Sequence, residues 1–306
     1  MKTVTVIIPV YKPDKKFPVL LKRLQSQSFP IEKILIMNTE KKYWQESWIK
    51  GMENVEVIHI RKAEFDHGGT RARAAGMCSS EILMFFTQDA LPADEFAVEN
   101  LLKAFDNPVV GAAYGRQLPA ENCRIIESYT RSFNYPDRSC IKTKDDLPEL
   151  GIKTFFCSNV CAAYRRDVYE KMGGFITRTI FNEDMILAGR MVQEGYGIAY
   201  QAQARVIHSH NYGNIQQFKR NFDLAVSQAD NPEVFEGIRS ESEGIRLVKK
   251  TAAHLCRIHK PWLIPQLVIQ SGCKYLGYRM GKNYRRLPKK LILACTMNQS
   301  YWTEPR

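Results

Sequence analysis

Three short stretches of this chain carry side chains that could do chemistry together. The first is Thr87-Gln88-Asp89, directly after the apolar run Ile82-Leu83-Met84-Phe85-Phe86. A short carboxylate is a hard oxygen ligand, suited to Mg²⁺ or Mn²⁺ carrying a phosphate. The second is Phe181-Asn182-Glu183-Asp184, in which Asp184 is a candidate general base. The third is Val206-Ile207-His208-Ser209-His210, where His208 offers a neutral imidazole ligand. Each stretch alone also fits ordinary structure: a turn or cap aspartate, two acids in a first helical turn, a histidine at a strand end. Taken as a set, Asp89, Asp184 and His208 supply a metal carboxylate, a base and a nitrogen ligand.

The surrounding pattern says what positions them. A strand that is apolar throughout, such as residues 82–86, reads as a central parallel strand covered on both faces. Ligands sit at the carboxyl ends of such strands, where Asp89 falls. Residues 4–11 read as another buried strand, expected to stop at Pro9 because proline cannot continue a central ladder. A helix over residues 17–27 and strands over 31–37 and 55–60 follow. This rhythm implies right-handed βαβ units and a parallel sheet. Pro9, Val10, Tyr11 and Asn38 then lie at neighbouring strand ends and suit a nucleotide-sized pocket. There Tyr11 is an aromatic wall and Asn38 a base reader, although loop aromatic and turn former fit the same residues. Between the third strand and the Asp89 strand, Gly68-Gly69 lets the backbone approach a ligand. Arg71 opens a helix over 72–76, where it could meet a diphosphate or a base.

The whole chain narrows the class. Its 306 residues suit one large domain, or one domain with an appendage, and 44% hydrophobic with 25% charged residues is ordinary for a soluble globular protein. No run approaches about 20 apolar residues, and Met1-Lys2-Thr3 leads straight into a core strand without a secretory segment. The eight cysteines form no CxxC pair, so neither a zinc site nor a disulfide framework is expected; Cys157 and Cys161 read as buried small residues. Charge is uneven. Residues 246–306 hold thirteen Lys and Arg against one Glu, and the first 245 residues are neutral. The basic tail interleaves Trp262, Tyr275, Tyr278 and Tyr284 with aliphatic residues, the composition of helices lying on an anionic membrane surface. A solvated basic face on helices packed against the core fits too. Neutrality of the first 245 residues speaks against nucleic acid. The boundary is expected in the polar stretch 228–243, giving a main domain of 1–230 and a basic helical region of 231–306.

Read together, these residues resemble family 2 glycosyltransferases of the GT-A fold over about residues 3–215. The resemblance rests on the strand ending Pro9-Val10-Tyr11, on Gly68-Gly69-Thr70-Arg71, on the acid after an apolar strand, on Glu183-Asp184 and on His208. More narrowly, Phe65-Asp66-His67-Gly68-Gly69-Thr70-Arg71, Thr87-Gln88-Asp89-Ala90, Tyr114-Gly115-Arg116-Gln117 and His208-Ser209-His210 are similar to bacterial rhamnosyltransferases of surface-polysaccharide assembly. The chain departs from the family pattern at three places. Thr87 replaces the first acid of Asp-x-Asp, Asn38 replaces the base-reading Asp, and Ala72 stands where Asn is common.

The resemblance implies a mostly parallel Rossmann-like sheet flanked by helices. It also implies inverting transfer of a sugar, rhamnose from dTDP-rhamnose, to a hydroxyl of a lipid-linked or growing polysaccharide. Asp184 is then the base and Glu183 an orienting residue. Asp89 and His208 hold Mg²⁺ or Mn²⁺, with His210 the rival for the metal. Pro9, Val10, Tyr11, Asn38, Arg71, Gln88 and Asp89 bind the nucleotide. Asp66, Arg116, Ser158, Asn159 and His210 are expected near donor or acceptor sugar, and a cytoplasmic enzyme peripheral on the inner leaflet follows. A UDP-sugar donor and a non-catalytic membrane-surface protein are the alternatives. A nucleotidyltransferase would want a glycine-rich loop after the first strand, and Pro9-Val10-Tyr11-Lys12-Pro13 has none.

Overall fold

The computed structural model describes residues 2–238 and 241–303. Residues 239 and 240 of the expected boundary, and Glu304 and Arg306 of the basic tail, lie outside the described residues. The strands are β1 (Val4–Tyr11), β2 (Lys33–Thr39), β3 (Val55–Ile60), β4 (Ile82–Phe86), β5 (Leu91–Pro92), β6 (Val110–Leu118), β7 (Cys140–Lys142), β8 (Cys161–Arg165) and β9 (Gly197–Ile207). They form one sheet in the order β3-β2-β1-β4-β8-β6-β9-β5, with β7 beside β9.

The half built from β3, β2, β1 and β4 is parallel throughout. At β8 the chain reverses: β8 runs antiparallel to both β4 and β6. That reversal gathers the site. Phe86 pairs with Cys161, so the segment after β4 abuts the segment before β8. Leu91 and Leu118 both pair with Ile207, so the end of β9 arrives beside them. Alternate residues of β1 and β4 feed opposite faces of the sheet. Ile7, Leu83 and Phe85 join one buried cluster; Val6, Ile8, Met84 and Phe86 join the other. All five residues of β4 are buried, as a strand covered on both faces requires.

β1 continues past Pro9 to Tyr11, contrary to the expected stop. Its ladder with β4 ends at Ile7, so beyond that point β1 has a hydrogen-bonded neighbour on one side only, and a missing N–H is tolerated.

The helices are α1 (Lys16–Gln25), α2 (His67–Ala75), α3 (Ala97–Leu102), α4 (Ile125–Asn134), α5 (Leu147–Leu150), α6 (Arg166–Lys171), α7 (Glu183–Gln193), α8 (Asn214–Asp230), α9 (Pro232–Phe235), α10 (Glu241–Arg257), α11 (Ile264–Lys282), α12 (Lys289–Cys295) and α13 (Ser300–Thr303). α1 buries Phe17, Leu20, Leu21 and Leu24, the stripe its spacing predicts. α2 begins five residues before the expected helix, because Asp66 caps it by accepting from Gly69 N.

The basic C-terminal helices pack on the rest of the chain. α11 lies against α8 at backbone distance: a Cβ on Gly277 or Gly281 would stand 2.2 Å from Phe218 O or 2.3 Å from Phe222 O. α10 braces α4, where His254 stacks on Tyr129 at 4.2 Å between ring centroids. No helix among the described residues is long and apolar enough to cross a membrane.

Candidate active site

The segments gathered by β4, β8 and β9 line a cleft of about 510 Å³ that contains Asp89, Asp184, Glu183, His208 and His210. On its sheet side, Asp89 Oδ2 stands 3.5 Å from His208 Nε2 and 3.5 Å from His210 Nε2. One ligand atom from each of the three lies within 4.8 Å of the others. β9 ends at Ile207, so the two histidines leave the strand, yet both rings turn to the same carboxylate.

Burial raises the Asp89 carboxyl pKa, but contact with His208 and His210 outweighs it and holds the group well below the usual carboxylate range. Burial, with His208 alongside, lowers the His210 imidazole to about 4, so it is neutral near pH 7. His208 Nδ1 lies 3.0 Å from Gln117 Oε1. An amide oxygen only accepts, so Nδ1 carries the proton and Nε2 keeps its lone pair toward Asp89. Gln117 is itself fixed by Arg131, which donates to its Oε1, and by donating to Ser158 Oγ at 3.0 Å. A carboxylate and two imidazole nitrogens arranged this way could hold a divalent cation.

The acidic pair is built from α7. Asn182, immediately before it, adopts a left-handed conformation with φ 64°, which Asn tolerates better than most residues. Its amide is held by Ser227 Oγ at 2.8 Å, so α8 fixes the turn that presents the two acids. Glu183 is buried and forms an ion pair with Arg71 at 3.1 Å. Burial raises its pKa, but the Arg71 and His67 charges prevail and lower it. Asp184 faces the cleft, where burial and then the neighbouring Glu183 push its carboxyl up to about 7. Its two oxygens accept from Asn159 N at 2.9 Å and Met185 N at 2.8 Å.

Several expected contacts resolve differently. Asn159 joins the two acids: its N–H goes to Asp184, its Nδ2 to Glu183 at 3.2 Å, and its Oδ1 accepts from Tyr164. It is a positioning residue whose side-chain amide is already engaged. Arg71 lines the cleft as the partner of Glu183 and donates a second bond to His67 O at 2.8 Å. Asp66 does not line the cleft; it caps α2 and accepts from Arg178 N at 3.1 Å. Arg116 is absent from the lining and its neighbour Gln117 is present, since successive strand residues face opposite ways. Gly68 serves packing, because a Cβ there would stand 1.9 Å from Ile176 O.

Pro9, Val10, Tyr11 and Asn38 lie outside the cleft lining. Tyr11 is nonetheless tied to it: its N–H donates to Gln88 Oε1 at 2.8 Å, and Gln88 Nε2 donates back to Tyr11 O at 3.1 Å. The Tyr11 ring meets Tyr43 edge-on at 5.8 Å, with Lys12 over both. Asn38 is fully buried and hydrogen-bonds His59 Nδ1 at 2.9 Å across β2 and β3.

The opposite wall consists of helices in which the sequence shows no sign of a cleft. α4 lines the cleft with Glu127, Thr130, Arg131 and Asn134, one helical face. α8 supplies Gln217 and Arg220, and α11 supplies Lys274. Arg220 lies over the Phe181 ring at 4.6 Å. Burial lowers the Lys274 pKa, and the charges of Arg131 and Arg220 act in the same direction against Glu127.

A sheet whose parallel half leads into Asp89, with His208 and His210 brought beside it by β9 and Asp184 lining the same cleft, is the GT-A arrangement. Solved structures share the fold. The mannosyltransferase PcManGT from Pyrobaculum calidifontis, in complex with GDP-Man and Mn²⁺, matches with a TM-score of 0.59 at 15% identity, over 99% of this chain and 88% of that one. S. aureus TarS 1-349 in complex with UDP-GlcNAc matches with a TM-score of 0.53 at 13% identity, over 93% and 91%.

The model of Glycosyl transferase family 2 matches residues 5–173, and the chain belongs to that family. It is 37% identical over 303 residues to the O-antigen chain rhamnosyltransferase RfbN of Salmonella typhimurium, covering 98% of this chain and 96% of that protein. It is 43% identical over 250 residues to the O-antigen chain rhamnosyltransferase WbaN of Salmonella anatum, covering 80% and 78%. The protein is a glycosyltransferase similar to O-antigen rhamnosyltransferases.

Proposed function

We propose that this chain is an inverting rhamnosyltransferase that moves rhamnose from dTDP-rhamnose to a hydroxyl of a lipid-linked saccharide. The observation that carries the reading is the shared cleft: Asp184 and the Asp89, His208 and His210 cluster face one space. The choice of sugar leans on the likeness to RfbN over nearly the whole chain. Asp184 takes the proton from the acceptor hydroxyl as its oxygen bonds to the anomeric carbon, and the bond to the dTDP oxygen breaks on the opposite face. Its raised pKa suits a base working near neutrality. Arg71 keeps Glu183 ionised, and Asn159 holds both acids in place.

Asp89, His208 and His210 would hold a divalent cation, which would supply positive charge to the departing diphosphate. The two imidazoles suit Mn²⁺ better than Mg²⁺. The clamp between Tyr11 and Gln88 supports a nucleotide at the end of β1, beside Asp89.

The basic C-terminal region places the enzyme on the inner face of the membrane. One face of α11 leaves Val268, Ile269, Tyr275 and Leu276 exposed, and Trp262 just before it is 68% exposed. With no acid between Arg246 and Lys290, this face combines apolar anchors with charge that anionic lipid attracts.

The test is calorimetric titration with dTDP, UDP and GDP, each with and without Mn²⁺, on the protein and on Asp89→Ala. Mn²⁺-dependent binding of dTDP over UDP, lost in Asp89→Ala, is expected. A preference for UDP discards rhamnose. A folded protein that binds no nucleotide ends the transferase reading.

A further inference from the structure

α11 carries a polar row on the side that faces the catalytic domain. Gln266, Gln270 and Lys274 recur every four residues and so share one helical face. Lys274 lines the catalytic cleft, and Gln266 and Gln270 line a second cavity of about 350 Å³. Glu127, His210, Tyr212 and Gln217 line both, so the two spaces form one continuous groove. The outer part runs between the start of α4 and the start of α11, and its volume falls within the range of small-ligand pockets.

The chemistry of that outer part is specific. The side-chain amides of Gln217, Gln266 and Gln270 make no hydrogen bond among the described residues. Each offers a donor pair and an acceptor, which matches neighbouring hydroxyls on one ring. Tyr212, stacked on His210 at 4.9 Å and with the Arg220 guanidinium over its ring at 5.7 Å, adds an aromatic edge and a hydroxyl to the wall. Glu127 is already paired with Arg131 at 2.8 Å, and Arg124, at the start of α4, adds a guanidinium with no ion pair among the described residues. Free amides beside an aromatic ring suit a hydroxyl-rich ligand.

We propose that α8 and α11 build an acceptor subsite, in which Gln217, Gln266, Gln270 and Tyr212 bind the sugar unit that precedes the reacting hydroxyl. This inference rests on the reading of the acceptor as a saccharide. It makes the C-terminal region part of the substrate-binding machinery, with Lys274 at the junction between the subsite and the reacting centre.

Saccharide binding tests the groove separately from donor binding. The probe is the oligosaccharide released by mild acid from the lipid-linked pool of cells that make the protein, followed by saturation-transfer NMR on the full chain. The wild type is expected to bind it. Gln266→Ala/Gln270→Ala is expected to weaken that binding at least tenfold, with Gln270→Glu between the two and the Kd for dTDP with Mn²⁺ unchanged. Wild-type protein that does not bind the oligosaccharide, or a double variant that binds it equally, overturns the proposal. Loss of nucleotide binding in the same titrations bears on the transfer reading, while the saccharide data still decide the groove.

Discussion

The two walls of the cleft are made differently. On the sheet side, Asp89, His208, Gln117, Ser158, Asn159 and Glu183 are locked in a buried network in which each polar side chain has a named partner. On the helical side, Arg220, Lys274, Gln266 and Gln270 face the space with no ion pair or hydrogen bond among the described residues. The contrast teaches that the sheet side is fixed by its own hydrogen bonds, whereas the side chains of α8 and α11 keep theirs open. A change on the sheet side should therefore disturb the protein itself; a change on the helical side should alter what it binds.

The largest effect is expected at Asp184, where the walls meet. Asp184→Asn should lower kcat by about 10²–10⁴-fold with nucleotide affinity unchanged, read by steady-state kinetics beside calorimetry. In the wild type, activity should rise with pH through about 7 as the carboxyl loses its proton. The sign for stability is opposite. The pKa is raised on folding, so the unfolded carboxyl ionises first and stability falls as pH rises from about 4 to about 7; over that window the melting temperature of Asp184→Asn relative to wild type should climb, and it should level off above it.

Next comes the buried pair. Glu183→Gln leaves the Arg71 guanidinium buried without its counter-charge, a loss of about 3–5 kcal/mol in urea unfolding. A loss below about 1 kcal/mol would break the idea that the sheet wall is a closed network.

Gln117→Ala should weaken Mn²⁺ affinity about 10–100-fold, because the tautomer and tilt of His208 depend on it. The smallest effect belongs to the outer face of α11. Trp262→Ser/Ile269→Ser should reduce cosedimentation with anionic vesicles roughly tenfold at low salt and leave soluble kinetics unchanged. Equal sedimentation would assign that face to some other use.

What was legible in the sequence follows the same division. β4 and β1 announce themselves by apolar runs, and the acids and imidazole stand out by type: Asp89 past the end of β4, Asp184 in the first turn of α7 and His208 past the end of β9. Gln117 lies inside a motif that was recognised, but choosing Arg116 over it meant guessing the strand's facing, and a register shift between Gly115 and Arg116 removes the simple alternation. Arg71 looked like an anion binder because nothing in a linear sequence shows Glu183 lying beside it. The helical wall was illegible for a physical reason: Gln, Lys and Arg at four-residue spacing also make an ordinary solvated face, and only the fold of α11 onto α8 turns that face inward.

That seam of Gly277 and Gly281 against Phe218 and Phe222 has a consequence for how such enzymes can be recombined. Where two helices touch backbone to backbone, neither has a side chain with which to adapt to a stranger. A crossover placed in the polar stretch after α8 would hand α11 a foreign partner, and the pair would be forced apart. Only an exchange that begins ahead of Asn214 transfers the two helices as one inherited unit.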